Sequence, residues 1–346
     1  MGQVSVVARV ACVGLGLALT AQATPGAAQS LDAFYKSNGL KFVIAAGAGG
    51  GYDVYGRALA RHIGAHLPGT PNVVAQNMPG ADGLKATNYM YSVAPKDGSV
   101  IGNTYATMTL QPLFTTQGVQ FDPLKLNWLG SMGKQNALCV TWTTSAIKTI
   151  DDARRQVTTV SSTGAAGSRT TVPKILNEVL GTKFKVITGY DTAGASLAVE
   201  RGEVDGLCGV SYATLMASNP HWLFDSKVNV LAQLARQKDS HVPDAPMVLD
   251  MVKDANDHRL LDLILVVQEV GRPVIAPPGV AKDRLAVLHK AFADTMADPA
   301  FAADAERLKL EIDPLDHGAI ESLLSTAYAS PRDVVERASK LLSVAE

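Results

Sequence analysis

From residue 40 onward, short apolar runs alternate with stretches of helical period. Residues 41–46 predict a strand, and residues 53–67 a helix with Val54, Ala58, Ile63 and Leu67 near one face. Residues 73–75 predict a short strand, residues 84–94 a helix stopped at Pro95-Lys96-Asp97-Gly98, and residues 100–103 a third strand. The alternation restarts after residues 128–130, with a strand at 137–142, a short helix at 149–156 and a strand at 157–160. In the next helix Val172, Ile175, Leu176, Val179 and Leu180 keep the i, i+3, i+4, i+7, i+8 rule. Strand 184–188, helix 194–201 and strand 204–209 follow, and strand 229–234 is predicted to lead back to the first half. Residues 284–297 and 319–344 read as long helices. Strands alternating with helices predict an α/β fold of mainly parallel sheets flanked by helices.

Two predicted strand-to-helix junctions are rich in glycine. The first is Gly47-Ala48-Gly49-Gly50-Gly51-Tyr52-Asp53, and the second is Ser161-Ser162-Thr163-Gly164-Ala165-Ala166-Gly167-Ser168. The first N–H groups of a helix have no partner inside it, and the positive end of the helix dipole stands behind them. A glycine turn lets an anion approach such donors closely. Two such mouths predict two lobes gripping one small anion, although plain tight turns share the same composition.

Composition narrows the classes. The chain has 346 residues, 47 % hydrophobic and 18 % charged, which fits a globular protein of two domains. A net charge of −1, few aromatics and no basic block argue against nucleic acid as a partner. At the N-terminus, Arg9 precedes the apolar run 10–19, and small residues follow around Ala23 and Ala28. This pattern predicts a secretory signal peptide over residues 1–28 and an exported chain, since the run is too short to span a bilayer. Cys139 and Cys208 then remain in an oxidising compartment. Both sit in strand-like apolar runs, and the sequence favours two buried thiols while leaving a disulfide open.

The motifs in order resemble the TctC/Bug family, periplasmic solute receptors of tripartite tricarboxylate transporters. Gly49-Gly50-Gly51-Tyr52-Asp53 with Arg57 is similar to the family's first-loop pattern, and Asn77-x-Pro79-Gly80-Ala81-x-Gly83 to its second signature. Ala94-Pro95-Lys96-Asp97-Gly98, the loop 162–168, Gly202-Glu203-Val204-Asp205 and Pro277-Pro278-Gly279 continue the series. The departures are Ala48 for a usual proline, a second loop one residue longer, Thr171 for a histidine, and the added charge of Arg169. The resemblance implies a type II periplasmic binding protein fold with two lobes joined by crossing strands. It divides the chain into residues 31–135 plus 235–346 and residues 136–234, with crossings near Leu138 and Leu231. It implies a carboxylate-bearing solute, large and small membrane transporter subunits as partners, no cofactor, no catalysis, and a monomeric periplasmic receptor. A ligand-sensing subunit for a membrane kinase uses the same fold and stays open.

The candidate ligand residues follow from the junctions and strand ends. Gly49, Gly50, Gly51, Tyr52 and Asp53 come from the first mouth; Ser162, Gly164, Gly167, Ser168 and Arg169 come from the second. Arg169 is expected either to pair with a second carboxylate or to stand in solvent. Thr104 and Thr107 follow the third strand, where parallel sheets collect ligands, but their hydroxyls suit helix capping equally well. Tyr190 and Thr192 open the last helix of the second half, and Asp205 suits an amino group or a plain strand-end role. Asp53 reads as a cap more than a catalyst. A dinucleotide-binding oxidoreductase is the enzyme alternative, yet Tyr52 stands where a third glycine belongs and the second strand ends without an acidic residue. His62 and His66 stand four apart with no glutamate between them, which suits a surface pair better than a metal site. No G-x-S-x-G nucleophile elbow occurs.

Overall fold

The protein is described by a computed structural model covering residues 1–2, 30–162, 167–190 and 192–342. The leader expected at residues 1–28 therefore lies almost wholly outside the described residues. Four strands open the chain: β1 (Leu40–Ile44), β2 (Val73–Asn77), β3 (Val100–Asn103) and β4 (Asn127–Ser131). The next five, β5 (Ala137–Trp142), β6 (Thr158–Ser161), β7 (Phe184–Ile187), β8 (Gly206–Val210) and β9 (Val228–Leu234), build a sheet of their own in the order β7-β6-β8-β5-β9. The chain then returns, and β10 (Pro273–Ala276) and β11 (Leu315–Asp316) complete the first sheet as β11-β4-β10-β3-β1-β2.

Both sheets are mixed. The strand–helix alternation produces the parallel parts, β2-β1-β3 and β7-β6-β8. The antiparallel parts belong to segments that enter, leave or rejoin a sheet: β10 beside β3 and β4, and β5 beside β8 and β9. Leu138 pairs with Gln233, so the strands flanking both passages between the sheets lie side by side. Phe42, Val43 and Ile44 are fully buried because helices cover both faces of β1.

The helix after β1 runs Gly51–His62 and continues as a 3₁₀ turn to His66. Its counterpart after β6 runs Ser168–Leu180 and contains Pro173, whose missing N–H leaves the Arg169 carbonyl without its usual partner. The tail differs from the single helix expected over 319–344. Pro331 divides it into His317–Tyr328 and Arg332–Leu342, because the residue before a proline is pushed out of helical geometry. Two helices that the periodicity did not reveal, Ala255–Ile264 and Val266–Val270, pack Leu260, Leu261, Leu263, Leu265 and Val266 into the core. Cys139 and Cys208 stand opposite each other in β5 and β8 and are joined by a disulfide. This departs from the two free thiols that the sequence favoured. Their side chains meet only through the register of strands 69 residues apart.

Candidate functional site

The first glycine turn carries the chain from β1 into helix Gly51–His62, with Gly50 as an extended N-cap that offers no side-chain bond. Gly49 has φ +82°, a left-handed conformation that a residue with a Cβ adopts only at a cost. Asp53 is buried and folds back on the turn. One carboxylate oxygen accepts from the Gly49 N–H at 2.8 Å; the other accepts from Arg57 Nε at 2.9 Å and Asn77 Nδ2 at 2.7 Å. Asn77 also donates to the Ala46 carbonyl and accepts from Arg57. Asp53 thus shapes the mouth from behind; it is not the helix cap that the sequence suggested, since Gly50 is the N-cap and Asp53 bonds the Gly49 N–H ahead of the helix. Gly49 spends its donor inside the loop, so the Gly51 and Tyr52 N–H groups are the free first-turn donors of this helix.

Burial would push the Asp53 carboxyl up, but the Gly49 N–H, the Asn77 amide and the Arg57 charge together hold it below its ordinary value. A depressed folded pKa adds stability above the unfolded value near ~3.9, and that gain vanishes as pH falls through the folded value. Asp53→Ala is therefore expected to cost about 1–3 kcal/mol at neutral pH, the cost of leaving buried donors unpaired. Urea unfolding should show the gap to wild type closing in acid below about pH 4.

A residue outside every sequence motif completes this mouth. Arg272, at the start of β10, is 8 % exposed, and its guanidinium carbon lies 4.7 Å from the ring centroids of both Tyr52 and Tyr55. A Cβ built on Gly51 would sit 3.4 Å from both of its terminal nitrogens, so the cation faces the helix mouth across that glycine. Among the described residues Arg272 makes no ion pair within 4.0 Å; its polar neighbours are the Tyr55 phenol and, further off, the Glu311 carboxylate. Tyr52 is fixed in turn: it stacks on Tyr105 at 4.3 Å, donates to the Gly271 carbonyl at 2.9 Å and accepts from the Ala106 N–H at 3.1 Å.

The second mouth is built alike. Gly167 is an extended N-cap, the Thr170 and Thr171 N–H groups return to its carbonyl, and the Ser168 and Arg169 N–H groups open the helix. Ser168 donates to the Gly209 carbonyl at 2.8 Å. Gly209 has φ +70°, and a Cβ there would lie 2.1 Å from the Ser168 carbonyl oxygen, so helix and strand touch only because this residue is glycine. Ser162 is buried and shares a hydrogen bond with Thr170 at 2.7 Å, which ties the loop's start to the helix. Gly164 lies outside the described residues. Arg169 differs from Arg272, which has the Tyr55 phenol beside it: the Arg169 Nη1 is buried with no hydrogen-bond acceptor among the described residues, and burial lowers its guanidinium pKa.

A chain of contacts connects the two mouths. Tyr212 follows β8 three residues after Gly209 and stacks on His241 at 4.2 Å. His241 Nδ1 lies 3.3 Å from a carboxylate oxygen of Glu311. The Glu311 backbone is held at both N–H and C=O by the Tyr55 hydroxyl, one turn into the first helix.

The other candidates stand elsewhere. Thr104 is fully buried and pairs with Thr87, so it serves packing; Thr107 is exposed on the 3₁₀ turn Ala106–Thr109. Tyr190 follows β7 and packs on the core of the second sheet, and Thr192 opens helix Thr192–Glu200. Asp205 enters β8 at the end away from Gly209, and its carboxylate is taken by Thr159 N–H, Thr159 Oγ1 and Ser145 Oγ. It is not brought together with either mouth. His62 and His66 are half-buried, and each pairs with a different carboxylate, Asp304 and Asp298.

Two sheets flanked by helices, with helix mouths at the carboxyl ends of their parallel strands, match the fold of two-lobed periplasmic binding proteins. The profile of the tripartite tricarboxylate transporter family receptor, TctC, matches residues 57–321, and the chain belongs to that family. The UPF0065 protein in the gbd 5′ region of Cupriavidus necator is 26 % identical over 312 residues, covering 88 % of each chain. A TctC solute binding protein from Polaromonas superimposes with TM-score 0.67 at 18 % identity, over 86 % of this chain and 98 % of that one. R. palustris Rpa4515 with adipate superimposes with TM-score 0.65 at 13 % identity, over 88 % and 97 %.

Proposed function

We propose that the protein captures a small dicarboxylate in a cleft between two lobes, residues 31–135 plus 235–346 and residues 136–234, and hands it to the membrane subunits of a tripartite tricarboxylate-type transporter. The observation that carries this reading is that, among the described residues, each helix mouth holds two backbone donors without a protein acceptor beside an arginine that makes no ion pair. Buried cations without counter-charges are costly, and an incoming anion removes that cost. Hydrogen bonds to an ionised carboxylate are about twice as strong as neutral ones, and a guanidinium donates to both oxygens at once. One carboxylate would take the Gly51 and Tyr52 N–H groups with Arg272, and the other the Ser168 and Arg169 N–H groups with the Arg169 side chain. The adipate in the R. palustris relative is a dicarboxylate, which is consistent with this class.

A thermal-shift screen over di- and tricarboxylates, aromatic acids and acidic amino acids tests the reading, because a ligand specific to the native state raises the melting temperature. Dicarboxylates are expected to give the largest shifts; stabilisation by monoacids alone would exclude the two-ended grip. Arg169→Ala refines the test. Calorimetry should show a diacid losing about 1–3 kcal/mol and a matched monoacid little. Equal losses for both would remove Arg169 from the ligand.

Delivery to a membrane transporter requires export. N-terminal sequencing of the chain recovered from the periplasm of a bacterial host is expected to begin at Thr24 or Gln29. Recovery of chains starting at Met1 there would contradict it.

A further inference from the structure

Asp239, His241 and Glu311 gather three metal-ligating atoms within 4.8 Å of one another, on the chain of contacts between the two mouths, and the carboxylate grip assigns none of these side chains a role. His241 Nδ1 lies 3.0 Å from Asp239 Oδ1 and 3.3 Å from Glu311 Oε1. A single ring N–H satisfies one of these oxygens. Glu311 Oε1 is shielded from solvent and makes no hydrogen bond, although the side chain is 41 % exposed and the His241 ring and the Arg272 charge both act on the carboxylate. A carboxylate oxygen removed from water without a donor is costly unless a cation meets it.

The spacing fits such a cation. Metal bonds of about 2.0–2.2 Å put neighbouring ligand atoms roughly 3.0 Å apart in an octahedron and about 3.4 Å apart in a tetrahedron. The two measured separations fall in that interval. The three side chains are also preset. The Asp239 N–H donates to Gln233 Oε1 at 2.8 Å, and Gln233 is itself buried and bonded to the Ala245 carbonyl. Tyr212 stacks on the His241 ring and fixes its plane, while the Tyr55 hydroxyl holds the Glu311 backbone from both sides. The lysines lining the same cavity of about 370 Å³ are engaged: Lys134 with Asp313 at 3.3 Å and Gln237 at 3.4 Å, Lys238 with the Pro243 carbonyl.

We propose that Asp239, His241 and Glu311 form a binding site for a divalent transition-metal ion, with water completing the coordination. One imidazole nitrogen and two carboxylates select ions such as Zn²⁺, Co²⁺ or Ni²⁺ over Mg²⁺ and Ca²⁺, which prefer oxygen donors alone. Glu311 reaches the site from the segment leading into β11, and Asp239 and His241 from the segment leaving β9, so the ion would staple the two sheets' connecting segments together.

The test uses the full exported chain, untagged, stripped with chelator and dialysed. Calorimetry with ZnCl₂ is expected to show one site of micromolar or tighter affinity, and Co²⁺ should give a visible absorption band. Glu311→Gln and His241→Gln should each weaken Zn²⁺ binding at least 30-fold and abolish the Co²⁺ band, with circular dichroism unchanged. MgCl₂ should give no heat. Absence of Zn²⁺ binding in the wild-type chain would overturn the proposal. So would affinity within threefold of wild type in both variants, which would place the ion elsewhere, for example at His62 and His66. If one variant fails to fold, the other decides alone.

Discussion

Replacing Arg272 with methionine is expected to weaken binding of the captured carboxylate by about 2–5 kcal/mol, the range for truncating one partner of a buried hydrogen-bonded charge pair. At about 1.4 kcal/mol per tenfold, that is from 30-fold to several thousand-fold. Methionine keeps an unbranched apolar stem over the Tyr52 and Tyr55 rings, so most packing survives while the cation is removed. The ligand-free protein should keep its melting temperature or gain slightly, since the change also deletes a buried cation with no ion-pair partner among the described residues. Arg272→Lys separates charge from geometry. A lysine keeps the charge and lacks the planar fork, so it should restore only part of the affinity. Full affinity in the methionine variant together with a lower melting temperature would make Arg272 a stacking residue and nothing more.

The second large effect concerns stability. The Cys139–Cys208 bond closes a loop of 69 residues between β5 and β8. In the chain-entropy account a loop of that length stabilises the folded state by about 4 kcal/mol, by restricting the unfolded chain. The double variant Cys139→Ala, Cys208→Ala, made in an oxidising compartment, should therefore melt roughly 10 °C lower than wild type. Reducing the wild-type protein under denaturing-scan conditions should produce a drop of similar size. Both cysteines are fully buried, and Cys208 adjoins Gly209, whose carbonyl accepts from Ser168 at the second mouth, so affinity for the carboxylate is read alongside the melting temperature. A loss below 1 kcal/mol in both experiments would show that β-sheet packing alone holds these strands together.

The site was legible where chemistry follows chain order. Strands 41–46 and 157–160 run into helices through glycine, and both mouths appear in the structure as extended glycine N-caps with open first turns. Asp53 was readable as a residue of the helix mouth but not in its role: it stands three residues past the Gly50 N-cap and its carboxylate reaches back to the loop. Arg272 was not readable. Its motif neighbours are Gly271 and Pro273, and it joins the first mouth only because β10 inserts antiparallel between β3 and β4. Thr104 and Asp205 illustrate the converse. Each sits at a strand end that suits a ligand, yet Thr104 turns inward to Thr87 and Asp205 stands at the entry end of β8, engaged by Thr159 and Ser145. The helices over 255–270 escaped the periodicity because their leucines and valines are buried on more than one face. The disulfide depends on register, which hydrophobic alternation alone leaves open.

The central claim is that the two glycine mouths close on the two ends of one diacid. The most direct measurement is a crystal structure of the protein with the dicarboxylate that stabilises it most in the thermal screen. The account predicts one carboxylate within about 2.7–3.2 Å of the Gly51 and Tyr52 N–H groups and the Arg272 guanidinium, and the other within the same reach of Ser168 and Arg169. A diacid bound with both carboxylates on one mouth, or away from both arginines, would contradict it.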